Sequence, residues 1–158
     1  MAWDPAIYSA FAQPRLRPAL DLMARIDLAD ASRVVDLGCG TGNVTRILKE
    51  RWAEADVIGI DSSPEMLLTA RDHGGAVRYL QTDAAGWAES GGEVDILFSN
   101  AALHWLDGHQ TLFPKLLERV GSGGVLAVQM PHNHYAASHT IMAEAAAAGP
   151  WAEYLHAS

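Results

Sequence analysis

A single cysteine, Cys39, stands in 158 residues. No intrachain disulfide framework can form, and a reducing compartment is expected. Basic residues are scarce as well: 11 Lys and Arg face 19 Asp and Glu, for a formal net charge of -8. No run of Lys and Arg occurs, which argues against a nucleic-acid partner, because phosphate neutralisation needs clustered cations. Long apolar stretches are missing too, all falling well short of the roughly 20 residues of a membrane span. Met1-Ala2-Trp3-Asp4-Pro5 has neither the cationic start nor the apolar run of a secretory signal. These absences lead to the expectation of a cytoplasmic chain with no membrane partner. What is present is ordinary for a globular protein: 49% hydrophobic and 19% charged residues. The length suits one domain, taken as residues 1–158.

From about residue 33 onward, apolar runs alternate with helical patterns. Arg33-Val34-Val35-Asp36-Leu37 is short, β-branched and halted by glycine, so it reads as a buried strand. Asp56 to Ile60, Val77 to Gln81, Val94 to Ser99 and Val125 to Met130 supply four more. Asn43 to Trp52 shows helical spacing, with Val44, Ile47 and Leu48 on one face. Ser63-Pro64-Glu65 opens another helix: serine caps, proline suits the first turn, and glutamate meets the positive helix end. His109 to Arg119 reads as helical up to Gly121, and Ser138 to Ala148 as a final alanine-rich helix. Before residue 33, the pattern predicts two helices broken near Pro14 and Pro18. Strand–helix alternation of this kind specifies an α/β fold, a doubly wound and mostly parallel sheet with helices on both faces.

The sharpest local signal is Asp36-Leu37-Gly38-Cys39-Gly40-Thr41-Gly42-Asn43, between the first strand and its helix. Glycines there allow a tight turn and close ligand approach. The turn departs from G-x-G-x-x-G, since the third glycine is Gly42 and Asn43 takes the fingerprint's last glycine position. Asp36 at the mouth of such a turn repels a pyrophosphate and favours a cation. S-adenosyl-L-methionine, with its ammonium and sulfonium, suits that field better than NAD. Asp61 ends the second strand, where a carboxylate can accept both ribose hydroxyls. Asp83 follows the third strand, positioned to accept from an exocyclic adenine amine, and Asn100 follows the fourth. Each acid alone is better explained as a cap or turn residue than as a ligand. Together they mark the carboxyl edge of a parallel sheet, where open α/β folds bind ligands.

Asp36 to Gly42, Ile60-Asp61-Ser62-Ser63-Pro64-Glu65-Met66, Thr82-Asp83-Ala84 and Asp95 to Trp105 resemble the successive motifs of class I S-adenosylmethionine-dependent methyltransferases. Trp3-Asp4-Pro5, Arg15-Leu16-Arg17-Pro18, Ser99 to Leu106 and Leu126 to Pro131 are similar to the branch of that family that methylates trans-aconitate. The resemblance implies a Rossmann-like sheet in the order 3-2-1-4-5-7-6, of which the residues here supply five strands. It implies that the backbone at Gly38 and Gly40, with Gly42 in the same turn, holds the methionine moiety, and that Asp36 supports its ammonium. Asp61 then takes the ribose, and Asp83 with Ala84 the adenine. Asn100 and Ala101 line the pocket near the transferable methyl, with His104 and Trp105 beside the reacting end. For Trp105, a core-anchor role is an equal alternative.

The implied reaction is methyl transfer to a carboxylate of a small polycarboxylic acid, trans-aconitate first among them. That nucleophile, with a pKa of about 4, is ionised at neutral pH, so no general base and no catalytic dyad are expected. An acidic chain binding a polyacid needs local cations; Arg15 and Arg17 are the candidates, with a solvated place on a surface helix the equal alternative for either alone, in an N-terminal segment of residues 1–32 that serves as a lid with Trp3 and Tyr8. Cys39 is expected to pack rather than react. His132, His134 and His139 lack the partners of a recognised zinc motif, so no metal is expected. Trp52, Trp87 and Trp151 are expected in packing roles, Trp87 within reach of an adenine face. The competing functions are a methyltransferase for another small molecule, a cofactor-binding module without turnover, and an NAD-dependent oxidoreductase. With strands six and seven outside these residues, the fifth strand would present Val125, Leu126 and Val128 at an open edge. A monomer or a weak homo-oligomer formed through that edge is expected.

Overall fold

The computed structural model describes residues 12–132 and residues 140, 141, 144, 145 and 148, with side chains from Leu16 onward. The elements alternate: α1 (Ala12–Met23), β1 (Arg33–Leu37), α2 (Asn43–Arg51), β2 (Asp56–Asp61), α3 (Pro64–Asp72), β3 (Arg78–Gln81), α4 (Ala84–Ser90), β4 (Val94–Asn100), a 3-10 turn (Leu103–Trp105), α5 (His109–Glu118) and β5 (Val120–Gln129). The five strands form one sheet in the order β3-β2-β1-β4-β5, every pair parallel. This is the α/β Rossmann-like architecture expected, in the first five positions of the implied strand order.

Both sheet faces are covered, which is why the strands read as unbroken apolar runs. Val34, Val57, Ile96 and Phe98 pack under α1 and α2 with Ala19, Met23, Leu48 and Trp52. Val35, Leu37, Ile58, Ile60 and Leu97 face the other way, onto Ala84, Trp87 and Ala88 of α4 and Leu112 and Leu116 of α5. Trp52 and Trp87 are thus core residues, as expected, at 3% and 6% exposure. Trp151 lies outside the described residues, as do Trp3, Tyr8, His134 and His139.

Two readings from the sequence are corrected. A break at Pro18 does not occur: α1 runs through it to Met23. The proline forfeits one helical bond, but Ala19 and Met23 bury completely on the sheet, and that packing keeps the helix whole. β5 also begins at Val120 rather than Val125. Its glycines cross an irregularity between the Val94–Val120 and Ile96–Val125 pairs. A Cβ at Gly124 would come within 2.6 Å of the Asp95 carbonyl, so the crossing needs glycine. Of the expected final helix, residues 140, 141, 144, 145 and 148 are helical, and the remainder lies outside the described residues.

Long-range polar contacts fix the strand ends. Asp95 Oδ2 accepts the amides of Ser32 and Arg33 at 2.7 and 2.8 Å, anchoring the start of β1 to β4. Arg51 donates to the carbonyls of Met23 and Ile26, and the Trp52 indole to that of Leu28, tying the α1–β1 connection to α2. Among the described residues, no helix is long and apolar enough to cross a membrane.

Candidate functional site

The turn between β1 and α2 hangs from β2. The amides of Gly38 and Cys39 both donate to the Ile60 carbonyl, each at 2.8 Å. The Gly40 amide donates to Asp61 Oδ2 at 2.8 Å, and Asp61 Oδ1 accepts the Ser63 amide at 2.9 Å. Gly38 sits at φ 79°, and a Cβ there would collide with that of Ala102. From behind, Tyr79 of β3 lies across Gly59 and reaches Gly42. A Cβ at Gly59 would come 2.7 Å from the tyrosine ring, and one at Gly42 would strike its hydroxyl.

A cleft of about 740 Å³ opens along the carboxyl ends of the strands. It gathers Gly38, Gly40, Asp61, Asp83, Ala84 and Asn100, with Ala101, His104 and Trp105 on the same wall. Trp105 is 80% exposed, which removes the core-anchor alternative. Asp83 caps α4, its Oδ1 accepting the Gly86 amide at 2.6 Å. Its capping role and its place on the cleft wall coexist, since the second oxygen stays available. Ser63 caps α3 as predicted, accepting from the Met66 amide at 3.2 Å.

Gly42, Arg17 and Asp36 do not line this cleft. Gly42 does not line the cleft; it stands at φ 74° as the cap of α2 and makes room for Tyr79. Arg17 is exposed and pairs with Asp21 at 3.7 Å, away from the cleft, although its neighbour Pro18 lines it. Arg15 lies on α1. Asp36 lies beneath the turn at 2% exposure and faces a separate recess of about 110 Å³. That recess shares Gly38, Gly40, Met66, Asn100 and Ala101 with the cleft.

The recess is rich in acceptors. Thr45 Oγ1 donates to Asp36 Oδ2 at 2.6 Å, the one hydrogen bond the Asp36 side chain makes among the described residues. Burial pushes the Asp36 carboxyl up to about 7; the Thr45 hydroxyl opposes this, and the Asp61 carboxylate adds to it. Asn100 Oδ1 is buried with no hydrogen-bond partner. Ala101 beside it holds φ 51°, with its amide bonded to the Gln129 carbonyl at 2.9 Å. No Lys or Arg among the described residues lines the cleft or the recess. Cys39 packs against Leu67, Ala70 and Tyr79, and burial, with the Asp36 and Asp61 carboxylates, pushes its thiol well up. It is a packing residue, as expected. Among the described residues, no three His, Cys, Asp or Glu side chains converge on a metal position.

A family model described as a methyltransferase domain matches residues 34–124, more than half of the chain. The chain belongs to the methyltransferase domain family. It is 50% identical over 153 residues to a trans-aconitate 2-methyltransferase of Azoarcus sp., covering 97% of this chain and 59% of that protein. A trans-aconitate 2-methyltransferase of Paracidovorax citrulli is 49% identical over 150 residues, covering 94% and 58%. The chain thus spans somewhat under three fifths of the length of the curated relatives it matches. Among solved structures, an S-adenosylmethionine-dependent methyltransferase from Mesorhizobium loti superposes with a TM-score of 0.62 at 28% identity, covering 73% of this chain and 54% of that one.

In this methyltransferase domain, sequence reasoning missed Thr45, which holds the Asp36 side chain from α2. Its signal was present: a hydroxyl on the same side of α2 as Val44 and Leu48, where a polar group needs a buried partner. The double use of Asp61 had no local signal, because Gly40 lies 21 residues before it.

Proposed function

We propose that this chain binds S-adenosyl-L-methionine in the cleft and carries the cofactor half of a methyl transfer to a small polycarboxylic acid. One observation carries the reading: three carboxylates, at the ends of β1, β2 and β3, surround a ligand space with no Lys or Arg on its described walls. A pyrophosphate would find only repulsion there, whereas a ligand carrying an ammonium and a sulfonium finds attraction. On this reading, the Gly38 and Gly40 backbone passes along the methionine chain, and Asp36 and Asn100 take its ammonium. Asp61 takes the ribose hydroxyls with its remaining lone pairs, and Asp83 with Ala84 the adenine. The bound cofactor supplies an electrophilic methyl group. The residues contribute position, a wall excluding water, and no base, because a carboxylate acceptor is already ionised at neutral pH.

Trans-aconitate is the acceptor of choice because the relatives at 49 and 50% identity carry that name. Cations for such an acid are absent from the described walls, which supports a second reading: cofactor binding with little turnover by these residues alone. In the first reading, residues 1–32 act as a lid, with Arg15 the remaining candidate for the acid. Calorimetry with S-adenosylhomocysteine and with NAD separates the cofactor classes; binding of NAD alone would overturn the proposal. Methyl transfer from labelled S-adenosylmethionine to trans-aconitate is the expected activity. Cofactor binding without labelled ester selects the second reading.

A further inference from the structure

Two acceptors with lone pairs to spare face one small recess. Asp36 Oδ1 accepts no hydrogen bond among the described residues, and Asn100 Oδ1 is buried with none. Buried acceptors of this kind are costly unless a donor arrives. An ammonium, with three donors and a positive charge, answers both. Behind the recess wall stands Thr45, wholly buried and lining neither space, donating to Asp36 Oδ2.

We propose that Thr45 is a positioning residue for the amine end of the cofactor, and that binding of this amine expels one proton from Asp36 to solvent. The inference rests on the cofactor reading above and deepens it. The balance is simple: the neutral carboxyl and the incoming ammonium become a carboxylate–ammonium pair, and the proton leaves to water. In the ligand-free protein, burial raises the Asp36 carboxyl to about 7, so the neutral form is well populated at physiological pH. The Thr45 hydroxyl pulls in the opposite direction by bonding to the charged form, while holding Oδ2 so that Oδ1 stays turned to the amine.

The groups around Asp36 leave few alternatives for a transition near neutrality. Asp61 faces it from the tip of β2 and raises it. The Cys39 thiol in the turn is pushed well up, and the Tyr79 hydroxyl of β3 is raised by burial despite the Arg46 guanidinium beside it. Neither ionises in the relevant range. The residues that flank Asp36 on β4 do not titrate.

The test measures calorimetric Kd against pH from 5 to 8.5 for wild type, Thr45→Val and Thr45→Ser, with two probes. S-adenosylhomocysteine carries the amine; 5′-methylthioadenosine lacks the whole amino-acid arm. Wild type is expected to lose up to tenfold in S-adenosylhomocysteine affinity per pH unit below the Asp36 midpoint, with no such loss for 5′-methylthioadenosine. Thr45→Val should move the midpoint up by about half a unit to one unit, and Thr45→Ser should restore it. Carboxyl ¹³C titration of Asp36 in the ligand-free proteins follows the same midpoint without any ligand. Identical midpoints in wild type and Thr45→Val by that titration would overturn the role of Thr45. Equal pH dependence for both probes would overturn proton release to the amine. Failure of wild type to bind either probe at any pH would instead strike the cofactor reading.

Discussion

Asp61 accepts the Gly40 amide at 2.8 Å with one carboxylate oxygen and the Ser63 amide at 2.9 Å with the other. A single side chain at the tip of β2 therefore holds the glycine turn after β1 and the entry to α3. A carboxylate is suited to this because it accepts at both oxygens and keeps lone pairs for a ligand. Asp61→Ala is expected to cost about 2–4 kcal/mol of stability, from two charge-assisted bonds lost at a half-buried site. It should also weaken S-adenosylhomocysteine binding by more than tenfold. Urea denaturation and calorimetry on one preparation check both; full affinity in the variant would contradict the assignment.

The glycines of the turn divide by what surrounds them. Gly38→Ala meets both a left-handed backbone and the Ala102 methyl, so it should destabilise the fold by roughly 3 kcal/mol or more. Gly40→Ala meets open space at φ 54° and should cost about 1 kcal/mol. Its methyl would project where a ligand passes, so affinity should fall far more than stability. Thermal melts with and without S-adenosylhomocysteine distinguish the two variants.

Asp36 is held against its own preference for charge. Its folded-state carboxyl lies near 7, above the ordinary 3.8. Its contribution to stability is thus fully present below about pH 4 and is lost as pH rises through about 7. Asp36→Asn carries no such loss and keeps an oxygen for the Thr45 hydroxyl. It should be more stable than wild type at pH 8, by roughly 1–3 kcal/mol, with the gain vanishing near pH 4. S-adenosylhomocysteine affinity should drop at least tenfold. A variant less stable than wild type at pH 8 would refute the argument.

Asp83 serves α4 and the cleft through different oxygens. Asp83→Asn keeps an N-cap acceptor and should alter stability by less than about 0.5 kcal/mol, whereas Asp83→Ala should cost about 1 kcal/mol. If the adenine amine is its ligand, the alanine variant should lose affinity for S-adenosylhomocysteine, and for adenosine by a similar factor. Equal losses of stability in both variants would place its role outside the cap.

Much of this was legible because the chain repeats simple physics. β-branched runs ended by glycine or aspartate became β1 and β2, and Ser63-Pro64-Glu65 opened α3 as written. The acids at strand ends fell around one cleft because parallel strands bring their carboxyl ends to one edge. What escaped the reading depends on partners distant in sequence. Pro18 sits inside a helix because the sheet buries its neighbours. Gly42 and Gly59 are glycine on account of Tyr79, which only the folded sheet brings near. Asp95 clamps Ser32 and Arg33 from more than 60 residues away. For Arg17 the fold adopts the solvated alternative, turned outward to Asp21.

Tyr79 belongs to an outer strand of the described sheet, yet its ring and hydroxyl are the backing on which the ligand turn rests. Loosening β3 therefore removes support from the glycine turn, and anything that clamps the turn must, by the same free energy, hold β3 in place. The amides of Arg78 to Gln81 should exchange with solvent more slowly once a ligand fills the cleft, although no residue of that strand lines it. In this domain, the cohesion of an outer strand and the occupancy of the binding site are two measures of one equilibrium.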